Sequence, residues 1–180
     1  VTYDTVTNIP GETSKCWITR NLGASQQPTA VDDNTEAAAG WYWQFNRLQG
    51  YKHDGTTLTP AWTTFVISEN SDWEQVNDPC INLLGSPWRI PTDVEWTNLD
   101  ASGNWTNWNG PWNSGLHMHA AGFLEFFYGL LNFRGVGGFY WSSMRYANNY
   151  GYSLNFTIDA SSIMNTYLKA YGSSLRCVRD

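Results

Sequence analysis

The sequence predicts an α+β domain: two short helices early on, then small antiparallel β-sheets joined by much irregular backbone. Three observations carry that reading. A capped helical stretch stands at Thr92, and glycines punctuate the short apolar pieces after residue 116. Aromatic residues make up 16% of the chain against 14% charged. That ratio belongs to a compact, loop-rich globule, because disordered chains carry few aromatics and many charges. At 180 residues, one domain with one core is the natural size.

The elements follow in order. Cys16-Trp17-Ile18 reads as a short buried strand, closed by Asn21-Leu22-Gly23. Thr35-Glu36-Ala37-Ala38-Ala39 starts a helix with Asn34 or Thr35 as N-cap. Trp41, Tyr42 and Phe45 supply its apolar side, and Gly40 weakens it. Residues 50–78 are rich in turns, with a tight one at His53-Asp54-Gly55. Thr92 is the N-cap of the second helix, and Glu95, three residues on, completes a capping box. Val94, Trp96 and Leu99 are its apolar positions. Asn104 to Trp112 forms a Trp/Asn loop. Farther on, Tyr152, Leu154 and Phe156 alternate with Ser153, Asn155 and Thr157, the period of a half-buried strand. Leu175-Arg176-Cys177-Val178-Arg179 reads as a closing strand.

The net charge of −6 argues against a nucleic-acid partner. Residues 1–122 hold 5 Lys/Arg against 13 Asp/Glu, a balance of −8; residues 123–180 hold 5 against 3, a balance of +2. The second part therefore offers a near-neutral face. No apolar run reaches the ~18 residues that cross a bilayer, so membrane insertion is not expected. The chain opens at Val1 without an initiator Met or signal peptide, which points to processing or trimming upstream. Three cysteines, Cys16, Cys80 and Cys177, leave at least one unpaired. They fit buried small hydrophobes or a single disulfide, with Cys80–Cys177 one candidate.

The aromatics are unevenly sorted. Residues 123–171 hold six of eight Phe and seven of ten Tyr, but only Trp141 of eleven Trp. Asn and Ser fill many of the gaps, as in Ser142-Ser143, Asn148-Asn149 and Ser161-Ser162. Rigid aromatics with small polar neighbours are the composition of evolved binding surfaces. The five aromatics Phe123, Phe126, Phe127, Tyr128 and Phe133 fit neither the helical nor the strand period, so a surface is expected for that cluster.

Four pieces, in this order, resemble one family: Cys16 to Gly23, Ser86-Pro87-Trp88-Arg89-Ile90-Pro91-Thr92 with Glu95-Trp96, Gly138-Phe139-Tyr140-Trp141-Ser142-Ser143, and Gly172 to Asp180. The chain resembles the FISUMP-type domain (Fibrobacter major paralogues), a branch of the C-type lectin-like fold. The resemblance spans nearly all of it as a single domain, 1–180, with 1–119 as scaffold. Residues 120–180 are similar to the variable region of diversity-generating retroelement target proteins, with the scaffold words Ala120-Ala121-Gly122, Arg134-Gly135, Tyr140 to Ser143 and Arg176-Cys177-Val178.

That resemblance implies a non-enzymatic display domain, without cofactor or metal, that binds a protein or other macromolecular ligand. The host would be a virion tip or a prokaryotic cell surface. Its ligand-binding residues would be Phe123, Phe126, Phe127, Tyr128, Leu130, Asn132, Phe133, Val136, Phe139, Tyr146, Asn148, Asn149, Tyr150 and Tyr171. Replacement of adenines in an Asn codon yields Tyr, Phe, Ser, Leu and Val among others, but never Trp, Gln, Glu, Lys or Met. Glu125, Met144, Met164 and Lys169 would then be fixed by the template.

Other motifs are weaker. The calcium triplets of sugar-binding lectins are absent; Val76-Asn77-Asp78 is the nearest and lacks companion carboxylates. His117 and His119 are two apart, the spacing of one strand face, but no third zinc ligand lies nearby. A rival reading makes the chain a carbohydrate-binding adhesin module whose Trp105, Trp108 and Trp112 stack on sugar rings. A third, an oxidase sharing the fold, needs an active-site cysteine pair that the spacing of Cys16, Cys80 and Cys177 does not show.

Overall fold

A computed structural model describes residues 2–180, apart from the side chains of residues 161–164. Met164 and the Ser161-Ser162 pair thus lie outside the described side chains. In chain order the elements are β1 (Thr5–Val6), β2 (Cys16–Ile18), α1 (Glu36–Ala39), β3 (Tyr42–Trp43), β4 (Gly50–His53) and β5 (Leu58–Thr59). Next come α2 (Pro79–Leu84), α3 (Asp93–Gly103) and α4 (Asn109–Asn113). The rest is β6 (Phe123–Leu124), β7 (Leu131–Asn132), β8 (Gly137–Arg145), β9 (Tyr150–Thr157), β10 (Ser161–Leu168) and β11 (Val178–Arg179). The strands pair antiparallel in four small sheets, so the α+β class holds.

The first sheet ties the two ends of the chain together. β2 lies between β1 and β11, with Ile18 opposite Thr5 and Trp17 opposite Val178. The closing strand is shorter than expected. Upstream of Val178 the chain is held by single bonds instead, from Ile18 N to Cys177 O (3.1 Å) and from Leu22 N to Leu175 O (3.0 Å).

α1 is capped by Thr35, whose hydroxyl accepts from Ala38 N at 3.4 Å. It stops after four residues, so Trp41, Tyr42 and Phe45 are not its apolar side; Tyr42 already belongs to β3. Gly40 is the cause. Its φ is 73°, and a Cβ there would lie 2.6 Å from Leu22 O. α3 forms as expected, with the full capping box: Thr92 accepts from Glu95 N (3.2 Å), and Glu95 Oε2 accepts from Thr92 N (2.8 Å). Trp96 and Leu99 are buried, whereas Val94 faces solvent. Two further helices join the expected pair. α2 begins at Pro79, and the Asp78 carboxylate caps it by accepting from Cys80 N at 2.8 Å.

The core divides along the sheet of β8, β9 and β10. Successive strand residues point to opposite faces. Tyr140 therefore enters a cluster with Trp17, Trp96, Leu154 and Phe156, while Trp141 enters another with Trp43, Phe45, Trp73 and Cys177. Both faces are covered, so β9 is not half-buried: Ser153 and Asn155 are buried too, with Ser153 Oγ donating to Asn155 Oδ1 at 2.7 Å. Cys80 and Cys177 form a disulfide that fastens α2 to the end of the chain, and Cys16 is free.

Candidate functional site

Three loops carry most of the residues singled out from the sequence: 125–130 between β6 and β7, 133–136 between β7 and β8, and 146–149 between β8 and β9. Glu125 builds the first. Its backbone N donates to Leu130 O (2.9 Å) and its backbone O accepts from Gly129 N (3.0 Å). Its carboxylate accepts from Phe127 N at 2.8 Å and also from Tyr128 N. Both amides are thus turned onto Glu125, and the Phe127 and Tyr128 rings point outward, 52% and 68% exposed. Trp62 supports the loop from below, its indole N–H donating to Phe126 O at 2.8 Å.

In the second loop Phe133 has φ 61°, the left-handed region that L-residues with large side chains avoid. Its carbonyl accepts from Val136 N and Gly137 N, both at 2.9 Å, which holds that conformation. Phe133 and Val136 are exposed, as is Leu130. The third loop is clamped by the scaffold. Asn148 O accepts from Glu69 N (3.0 Å), and Asn149 O accepts from Lys169 N (2.8 Å). The Lys169 ammonium is buried and donates to Glu69 O at 2.7 Å. Tyr146, Asn148, Asn149 and Tyr150 are exposed.

Ring contacts merge the first two loops into one surface with a floor and a crest. Phe123 and Phe139 form the floor, with centroids 4.7 Å apart. Phe133 packs over both, at 5.8 and 5.9 Å. Tyr171 meets Phe123 at 5.3 Å and Phe126 at 5.5 Å, and Phe126 leads to Phe127 at 5.8 Å. Tyr167 lies between Phe139 (5.5 Å) and Tyr171 (5.2 Å). Burial pushes the hydroxyl pKa of Tyr167 and Tyr171 up.

Two expected surface residues are corrected by this arrangement. Phe123 and Phe139 are only 9% and 5% exposed, because they lie on strands roofed by Phe133, Tyr167 and Tyr171. Phe126, Asn132 and Tyr171 are half-buried. The third loop reaches the first across a pit of about 150 Å³ lined by Asn149 and Phe126 together with Phe65, Val66, Leu168 and Ala170. Phe65 and Val66 are exposed, and Phe65 stands 6.2 Å from Phe127. The apolar run Phe65-Val66-Ile67, inside the turn-rich stretch, was their one signal in the sequence.

The set-aside motifs have structural employment. His117 is exposed against Trp112 with φ 51°, whereas His119 is fully buried, so the two do not share a face. Among the described residues no group of three or more His, Cys, Asp or Glu is placed to hold a metal ion. Asp78, of the Val76-Asn77-Asp78 triplet, is buried and also accepts from Ile90 N at 3.0 Å. Trp105 is buried and Trp108 packs on the core, so these rings are not open stacking platforms. Among the described residues no helix is long and apolar enough to cross a membrane.

Fold and site together define an α+β domain that presents an apolar, aromatic surface on clamped loops. No known protein family matches the chain, and no curated protein matches it.

Proposed function

We propose that the chain is a non-enzymatic, C-type lectin-like display domain, diversified by a retroelement, that binds a protein ligand through its exposed aromatic crest. One observation carries the reading. Phe127, Tyr128, Leu130, Phe133, Val136, Tyr146 and Tyr150 all stand in solvent, on or beside loops that backbone hydrogen bonds hold in place. Large exposed aromatics suit the buried centre of a broad interface. Loops already fixed lose little further entropy on binding.

Two details support diversification. Glu125 and Lys169, which adenine replacement in an Asn codon cannot produce, are residues that hold the loops together. Phe133 occupies a left-handed backbone that Asn tolerates well. An Asn codon in the template fits that backbone, and Phe is one of its products. The disulfide Cys80–Cys177 suits an oxidising, extracellular setting such as a virion tip or cell surface.

Sequencing the DNA around the gene tests the proposal. The expected result is a near-copy of codons 120–180 beside a reverse-transcriptase gene, differing only at adenines, with differences at the exposed positions. A locus without such a copy removes the retroelement from the reading.

A further inference from the structure

At one side of the crest, Phe133 and Tyr167 form the walls of a hollow of about 300 Å³ whose floor is Phe123, Phe139 and Asn155. Both walls reach solvent: Phe133 is half exposed and Tyr167 half-buried. Asn155 stands opposite Phe139 in the pairing of β8 with β9, so the two side chains leave the sheet on the same face. Tyr167 pairs with Gly151, four residues from Asn155, and shares that face. The Asn155 side-chain oxygen accepts from Ser153 Oγ at 2.7 Å, which fixes the orientation of the carboxamide. Its nitrogen has no partner among the described residues, although Asn155 is only 6% exposed. A buried donor left unpaired is uncommon and costly. None of the described lining residues is charged.

We infer that this hollow receives a tyrosine side chain of the protein ligand, whose hydroxyl oxygen accepts from Asn155 Nδ2. The inference rests on the crest being a protein-binding surface, and it names the group that anchors there. Aromatic walls suit a ring, which meets them edge to face. A volume of about 300 Å³, at the small end of ligand sites, holds one such ring. The unpaired donor requires an acceptor at the tip of that ring. Phenylalanine has none, and the tryptophan N–H only donates. Lysine and arginine carry donors alone. A carboxylate would lose its hydration with no cation in the hollow to compensate. A neutral imidazole would accept at one nitrogen and leave its N–H against the rings. The phenol meets every demand: its hydroxyl accepts from Nδ2 and donates in turn to the second lone pair of Asn155 Oδ1.

Blocked amino acids test the pocket by NMR on the whole chain. N-acetyltyrosinamide should bind at millimolar concentration and move the side-chain amide cross-peaks of Asn155. N-acetylphenylalaninamide should bind about tenfold more weakly, because it leaves the donor unpaired. Asn155→Leu, which removes the donor at similar size, should abolish that preference. The two probes on the native chain decide the matter even if the variant does not fold. Equal affinities, no binding of the tyrosine probe at its solubility limit, or shifts confined to residues outside the hollow would each overturn the pocket. The crest is read separately, by selecting binders to the native chain from a displayed library of small protein domains. Binders lost with Phe127→Ser and Tyr128→Ser, beside a silent tyrosine probe, would overturn the pocket and leave the crest standing. Binders indifferent to those two changes would overturn the crest, and with it the assignment of the tyrosine to a protein ligand.

Discussion

Phe123 and Phe133 lie stacked, with centroids 5.8 Å apart and planes 22° apart, yet Phe123 is buried and Phe133 half exposed. The pair marks the boundary between two layers of one aromatic surface. Below it, Phe123 and Phe139 belong to the folding core. Above it, the rings cover the core on one side and meet solvent on the other, so their loss leaves little unfilled space.

The two layers should therefore differ sharply in stability experiments. Replacing Tyr128, Phe133, Tyr146 and Tyr150 together by Ser should leave a cooperative melt: the three Tyr changes cost about 0.5 kcal/mol or less each, and Phe133, which also covers Phe123 and Phe139, costs more than any of them. Phe139→Ala alone should cost about 3–5 kcal/mol. Trp141→Ala should cost as much, since Trp141 is fully buried and donates to Trp43 O at 2.8 Å. An unfolded quadruple variant beside a stable Phe139→Ala would reverse the assignment of floor and crest.

Phe133 offers a finer test of backbone strain. At φ 61° glycine pays no Cβ penalty, whereas alanine keeps it and loses the ring as well. Phe133→Gly should be more stable than Phe133→Ala by about 1 kcal/mol, the reverse of the usual order. Chemical denaturation of the two variants side by side decides this, and an Ala variant equal to or above the Gly variant refutes the strain.

How legible these features were depended on how local their causes are. The Thr92–Glu95 box could be read because four consecutive residues contain all of it. The burial of Ser153 and Asn155 could not, because β9 looks amphipathic until a second cluster covers its other face. Aromatic enrichment located the candidate surface in the right segment. It could not separate Phe123 from Phe127, since that depends on which residue a strand turns under Tyr171 and which a Glu125-capped loop turns outward. Phe65 joins the surface through a ring contact with Phe127, across about sixty residues of chain, and Val66 through the pit it lines with Phe126 and Asn149.

The disulfide should contribute substantially to stability, because it closes a separation of 97 residues. Removing it with Cys80→Ala and Cys177→Ala should cost about 2–5 kcal/mol, mainly by freeing the unfolded chain. Both sulfurs are buried, so reductant should act on the native protein only slowly. A denaturation midpoint unchanged in the double variant would show that the bond adds nothing.

His119 should make the fold sensitive to mild acid. It is fully buried, and neither ring nitrogen has a partner among the described residues. Burial, reinforced by the Arg176 charge and only partly opposed by Asp33, pushes its pKa down from 6.5 to about 3. The unfolded chain therefore takes up this proton first as the pH falls. The stability tied to neutral His119 is fully present above pH 6.5 and is lost progressively toward pH 3, by up to about 1.4 kcal/mol per unit. Asp33 also has a lowered pKa: burial raises it, but hydrogen bonds from Thr29 and Thr35 outweigh that and hold it at about 2. Its contribution is present above the ordinary carboxylate range and fades as the pH falls from there toward 2. Burial lowers the pKa of His53 as well, so over the interval from pH 6 to 4.5 the comparison with a His119 variant is what assigns the loss to that residue. Urea denaturation across that interval should show falling stability in the native sequence and a flatter profile in His119→Leu. Parallel profiles for the two proteins would mean that His119 charges within the fold at little cost.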